Sequence, residues 1–178
     1  MDIALQIAVR SSKAAGELIK DTFRRGTKNL KKTETDPVTE TDLACEKLIQ
    51  EMISKEFPDH DFLGEESFGG TYNLTDRPTW ICDPVDGTAN FLHGLPWCCV
   101  SVALVVDMSP VVGVVFNPVT DELFCAVVGR GAWLNDPETP CSPSPVARLP
   151  DACLCTEFGS AREPEVLALK LSVLGRVL

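Results

Sequence analysis

The sequence has only two histidines, His60 and His93, no Cys-x-x-Cys pair, and no run of 18 apolar residues. The first two shortages leave no cysteine–histidine cluster to hold zinc. The third excludes a membrane-spanning helix. A signal-peptide pattern is missing too: Asp2 stands where a basic region would be, and Arg10 and Lys13 interrupt the apolar residues that follow. Nothing reads as disordered or collagenous, and no internal repeat is present. Positive charge is scarce. Against 26 Asp and Glu stand 16 Lys and Arg, a formal charge of -10. A chain this acidic repels nucleic acid and anionic membrane, so neither is expected as a partner. With no export signal, the eight cysteines are expected as free thiols in the cytoplasm, packed as small apolar groups.

What is there suits a globular protein. Its 178 residues, 44% apolar and 24% charged, allow one domain with its own core. Residues 3–25 predict an amphipathic helix with Ala4, Ile7, Ala8, Ser11, Ala15, Leu18, Ile19 and Thr22 on one stripe. A second helix is expected from near Thr41, with Ala44, Cys45, Leu48, Ile49, Met52, Ile53 and Phe57 on its inner face and Pro58 ending it. The period then changes. Strands are expected at Asp61–Glu65, Thr79–Asp83, Cys98–Val106, Val111–Phe116, Glu122–Val128 and Gly131–Asn135, with a hairpin at Asn117–Asp121. Residues 136–150 read as a proline-rich loop, Cys153–Thr156 as a strand, and Glu163–Leu174 as a helix with Pro164 in its first turn. The fold class is α+β: two long helices against an antiparallel sheet over 1–150, then the start of an α/β unit over 151–178. The apolar tail from Glu165 to Leu178 leads us to expect a chain that continues.

The chemistry concentrates in Trp80-Ile81-Cys82-Asp83-Pro84-Val85-Asp86-Gly87-Thr88-Ala89-Asn90-Phe91. A strand delivers Asp83, Pro84 stiffens the exit, and Gly87 permits a tight turn that points Asp83 and Asp86 into one volume. Two carboxylates so close rise in pKa unless a cation sits between them, and oxygen ligands suit Mg2+. The Gly-Thr-Ala-Asn run opens a helix whose free N–H groups can take a phosphate oxygen. Alone, this stretch equally describes a turn in which Asp86 caps a helix. Gly64-Glu65-Glu66-Ser67 adds carboxylates at another strand end, where they could also be merely solvated. Asp36-Pro37-Val38-Thr39-Glu40-Thr41-Asp42 puts Asp42 in a first helical turn, where it could simply complement the helix dipole.

Taken in order along the chain, these three clusters resemble the inositol monophosphatase family, and the resemblance runs from the first helix to the end. Further similarity lies in Gly113-Val114-Val115, Gly129-Arg130-Gly131-Ala132 and Thr156-Glu157-Phe158-Gly159-Ser160. The resemblance implies the N-terminal half of a layered αβαβα sugar-phosphatase fold and Mg2+-dependent, lithium-sensitive hydrolysis of myo-inositol monophosphate, with two or three cations per site. It implies that Glu65, Asp83 and the Val85 carbonyl bind a first Mg2+, and that Asp83 and Asp86 share a second. Glu66 would support that shell. Thr88, with Glu65, would orient and deprotonate a water; the N–H groups of Gly87 and Thr88 would hold phosphate. Asp42 would back the cluster and Thr88, Asn90 would shape its surroundings, and Ser160 would touch the substrate ring. An acidic enzyme acting on phosphate needs cations to reverse its own field.

Members of that family carry about a hundred further residues, including another carboxylate of the second cation site and substrate-reading groups. The expectation is therefore a chain inactive on its own, cut from a parent that is a homodimer. Two rival readings stand beside it: a relative acting on another sugar phosphate or a nucleoside bisphosphate, and an inactive truncated paralogue.

Overall fold

The computed structural model describes residues 2–25, 39–70, 74–155, 159 and 161–177. Helix α1 spans Asp2–Arg25 and α2 spans Glu40–Glu56. They pack on each other and on one face of a six-stranded sheet, α1 over its middle strands and α2 over the strand that carries the Asp-Pro-Val-Asp sequence. The strands are β1 (Asp61–Gly64), β2 (Thr79–Asp86), β3 (Cys99–Val106), β4 (Ser109–Asn117), β5 (Glu122–Val127) and β6 (Gly131–Leu134), in the order β1-β2-β3-β4-β5-β6. Helix α3 (Thr88–Leu92) follows β2, and α4 (Pro164–Val177) lies near the C-terminus.

The core lies between the helix pair and the inner sheet face. Ile7, Ala8 and Ile19 of α1 and Ile49 and Ile53 of α2 meet Trp80, Val100, Val102, Val112 and Val114, all essentially buried. The alternation of β3 and β4 sends every second residue inward, as a sheet covered on one face requires. At the edges of the predicted helical stripes, Leu18 and Ala44 are exposed, and acidic Asp42 and Glu46 are buried instead.

Three expectations need correction. The sheet is mixed, because β1 pairs with β2 in parallel; residues 65–78 supply the long return that a parallel pair needs. Strand β2 does not stop at Asp83 but runs through Pro84 and Val85 to Asp86. No strand forms over Cys153–Cys155; the chain before it makes a 3-10 turn at Leu149–Asp151, and the prolines upstream cannot donate to a ladder. The segments 31–38 and 156–158, and Ser160, lie outside the described residues.

A carboxylate cluster at the bend of β2 as candidate active site

In a regular strand, residues three apart face opposite ways. Asp83 and Asp86 escape that rule through a β-bulge. Asp83 pairs with Ser101 and Asp86 with Cys99, so three steps along β2 match two along β3. Ser101 and Cys99 share a face, and their partners therefore share it too. The inserted length is turned inward, with Pro84 and Val85 buried. Pro84 suits a bulge because it brings no N–H to the ladder. The sulfur of Cys99 lies 3.6 Å from Asp86 Oδ2. Burial, then the Asp86 charge, push that thiol up to about 12, so it stays protonated and donates.

Asp83 and Glu65 line an open cavity of about 350 Å³ with Leu63, Gly64, Phe68, Ile81, Cys82, Ser101 and Ala103. Strand β1 brings Glu65 there, and the Glu65 amide donates to the Cys82 carbonyl at 3.0 Å, continuing the parallel ladder by one rung. Burial raises the Asp83 carboxyl most; the Glu65 charge, a shared hydrogen bond with Glu65, and the Asp86 charge raise it further, to about 8. Its Oδ1 is buried and has no hydrogen-bond partner. Among the described residues, no group of three or more His, Cys, Asp or Glu side chains is gathered into a ready ligand set. A hydrogen bond links the side chains of Asp83 and Glu65.

Asp42 approaches from α2 and serves two neighbours. Thr39 caps the helix and Asp42 answers it: the Thr39 N–H and hydroxyl both donate to Oδ2, completing a capping box. The other oxygen, Oδ1, lies 3.1 Å from the Thr88 hydroxyl, which is also 2.9 Å from the Val85 carbonyl. Asp42 is 1% exposed. Burial raises its carboxyl above the ordinary range, against the opposing hydrogen bonds from Thr39 and Thr88.

The turn into α3 depends on Gly87, whose φ is 84°. A Cβ there would stand 2.5 Å from the Trp97 carbonyl oxygen, so only glycine lets the chain pass. The same carbonyl accepts from Asn90 Nδ2 at 2.8 Å, which braces the loop after α3. Asn90 thus acts on the shape of the turn.

The expected residues Asp42, Glu65, Asp83, Val85, Asp86, Gly87, Thr88 and Asn90 occupy one end of β2, with Glu66 in the adjoining turn. One residue that sequence reasoning missed is Glu46. Both of its carboxylate oxygens accept backbone N–H groups, from Glu66 at 2.7 Å and Ser67 at 2.9 Å. The signal was available: Glu46 stands four residues after Asp42, beside Cys45 and Ile49 on the buried stripe.

Residues 1–173 match the sequence model of the Inositol monophosphatase family. The chain is 46% identical over 166 residues to Inositol monophosphatase 3 of Solanum lycopersicum, covering 92% of this chain and 61% of that protein. It is 37% identical over 177 residues to Inositol monophosphatase 1 of Sus scrofa, covering 98% and 63%. Among solved structures, the extragenic suppressor protein suhB from Bartonella henselae superposes with a TM-score of 0.75 at 36% identity, covering 83% of this chain and 57% of that one. The chain thus spans about three fifths of the length of these relatives.

Proposed function

Because the chain belongs to the inositol monophosphatase family, we propose that it forms the cation- and phosphate-binding part of an enzyme that hydrolyses myo-inositol monophosphate to inositol and phosphate. The carrying observation is Asp83. A carboxylate with a buried, unpartnered oxygen, raised by its neighbours Glu65 and Asp86, is a donor set that fits a hard divalent cation. Mg2+ is the cation this reading takes. Asp83, Glu65 and the Val85 carbonyl would hold one ion, and Asp83 and Asp86 a second. When bound, the ions cancel the clustered negative charge, acidify a water and offset charge on the phosphate oxygens.

The chain's own groups do the rest. The Thr88 hydroxyl, held by Asp42, would with Glu65 orient the attacking water, the water's proton passing to Thr88 Oγ1 as Thr88's own proton passes to Asp42 Oδ1. The N–H groups of Gly87 and Thr88 would hold the phosphate. Glu66 supports the shell and Asn90 fixes the turn. Phosphoryl transfer asks chiefly for positioning and charge neutralisation, which is what this rigid bend offers. The reading extends to lithium as an inhibitor, a homodimeric parent and a cytoplasmic location; the eight free cysteines support the last.

The test is phosphate release from myo-inositol 1-phosphate, from another sugar phosphate and from a nucleoside 3',5'-bisphosphate, with and without Mg2+, in a protein extended to the length of its relatives. Mg2+-dependent release fastest from the inositol ester is expected. Release that persists without divalent cations, or after Asp83→Asn, overturns the reading.

A further inference from the structure

We infer that Glu46 is a positioning residue that locks Glu65 into the cation site from behind. The inference rests on the proposed cation-binding role of Glu65. Glu46 is 5% exposed, and its two oxygens accept the amides of Glu66 and Ser67, the two residues that follow Glu65. The Glu65 amide is itself fixed by the Cys82 carbonyl. The backbone around Glu65 is therefore tied at three successive N–H groups, one by the sheet and two by α2. A charged acceptor makes these amide bonds about twice as strong as neutral ones.

Gly64 completes the lock. A Cβ on Gly64 would stand 2.3 Å from the Glu46 carboxyl carbon and 2.3 Å from Oε2. The end of β1 can close over the carboxylate only because residue 64 has no side chain. Asp42 and Glu46, one turn apart on α2, so divide the site between them: Asp42 aims Thr88, and Glu46 aims Glu65. Burying a carboxylate merely to tie a surface turn is costly. The arrangement makes sense when the turn must hold another carboxylate at a fixed place.

The experiment measures Mn2+ binding by electron paramagnetic resonance in the protein extended to the length of its relatives, with near-UV circular dichroism to establish that each variant is folded. Wild type must bind first; no binding there overturns the proposed function itself. Given wild-type binding, Glu46→Gln presents an amide NH2 to one of the two N–H donors. It should weaken Mn2+ by about tenfold or more, the usual effect of losing a group behind a ligand. An affinity within about twofold of wild type overturns the inference. Gly64→Ala is the second variant, since it forces the Glu46 carboxylate off the turn while leaving it in the chain. It should weaken Mn2+ similarly in wild type and add little in a Glu46→Ala background. An equal loss in both backgrounds overturns the inference.

Discussion

The Thr88 hydroxyl lies 3.1 Å from Asp42 Oδ1, across 46 positions of sequence, and joins the first turn of α2 to the first turn of α3. The Val85 carbonyl, 2.9 Å away, is the second acceptor on the same hydroxyl. Thr88→Val keeps the shape and removes the hydroxyl. It should lower kcat on the order of a hundredfold, the lower end of what a proton-handling group contributes. Thr88→Ser should retain most activity. Steady-state phosphate release in the full-length parent checks both.

Asp42 also answers Thr39 in the capping box. Asp42→Ala removes that bond, leaves Thr39 without its acceptor, and leaves Thr88 with the Val85 carbonyl alone. We expect a loss of about 2 kcal/mol in unfolding free energy, read from urea titration, on top of the kinetic defect.

Asp83 makes the metal-free chain pH-sensitive in a defined direction. Its folded carboxyl is raised to about 8, so the folded state holds the proton more tightly than the unfolded chain. The stability this lends is complete below the ordinary carboxylate value and is lost as pH rises through about 8. In EDTA, Tm should fall across that window, and Asp83→Asn should flatten the fall. Divalent cation should restore Tm at pH 8. At pH 7 its binding should release a proton, visible as calorimetric heats that depend on the buffer. Cys82→Ala, on the opposite face and 2% exposed, should leave cation binding intact.

His60 works the other way. Its Nδ1 accepts from Trp80 Nε1 at 3.1 Å, and its ring stacks on Phe57. Burial lowers its pKa against the charges of Asp59 and Asp61. Stability is thus present above the ordinary histidine value and lost as pH falls below it. Trp80 fluorescence, followed in thermal melts between pH 7.5 and 5, should show a fall in Tm that His60→Gln removes.

Gly87→Ala forces a Cβ against the Trp97 carbonyl at a left-handed φ. It should cost about 2 kcal/mol of stability and disturb the Thr88 N–H. Denaturant unfolding measures the first, and phosphate release in the parent the second.

The helix pair, the strands and the ends of most elements could be read from sequence because burial follows the 3.6 and 2.0 periods there. The parallel pairing of β1 could not: the link over 65–78 carries no helical pattern to mark a crossover. Asp83 and Asp86 were legible as a pair, yet the bulge that aligns them was not, since Pro84 reads equally as a strand's end. Glu46 was passed over because periodicity counts apolar residues, and a buried carboxylate on the inner stripe registers as noise.

The bulge in β2 makes the site depend on parity. Asp83 and Asp86 face the same way only because an odd number of residues on one strand is set against an even number on the other. Deleting Pro84 or Val85 alone would turn the bulge into regular strand and leave Asp86 opposite Cys99, on the face of Asp83, whereas deleting both would make the aspartates neighbours and swing one of them toward the helix-packed side. A single residue between the two aspartates would align them without help, and the second is accommodated only because the bulge absorbs it.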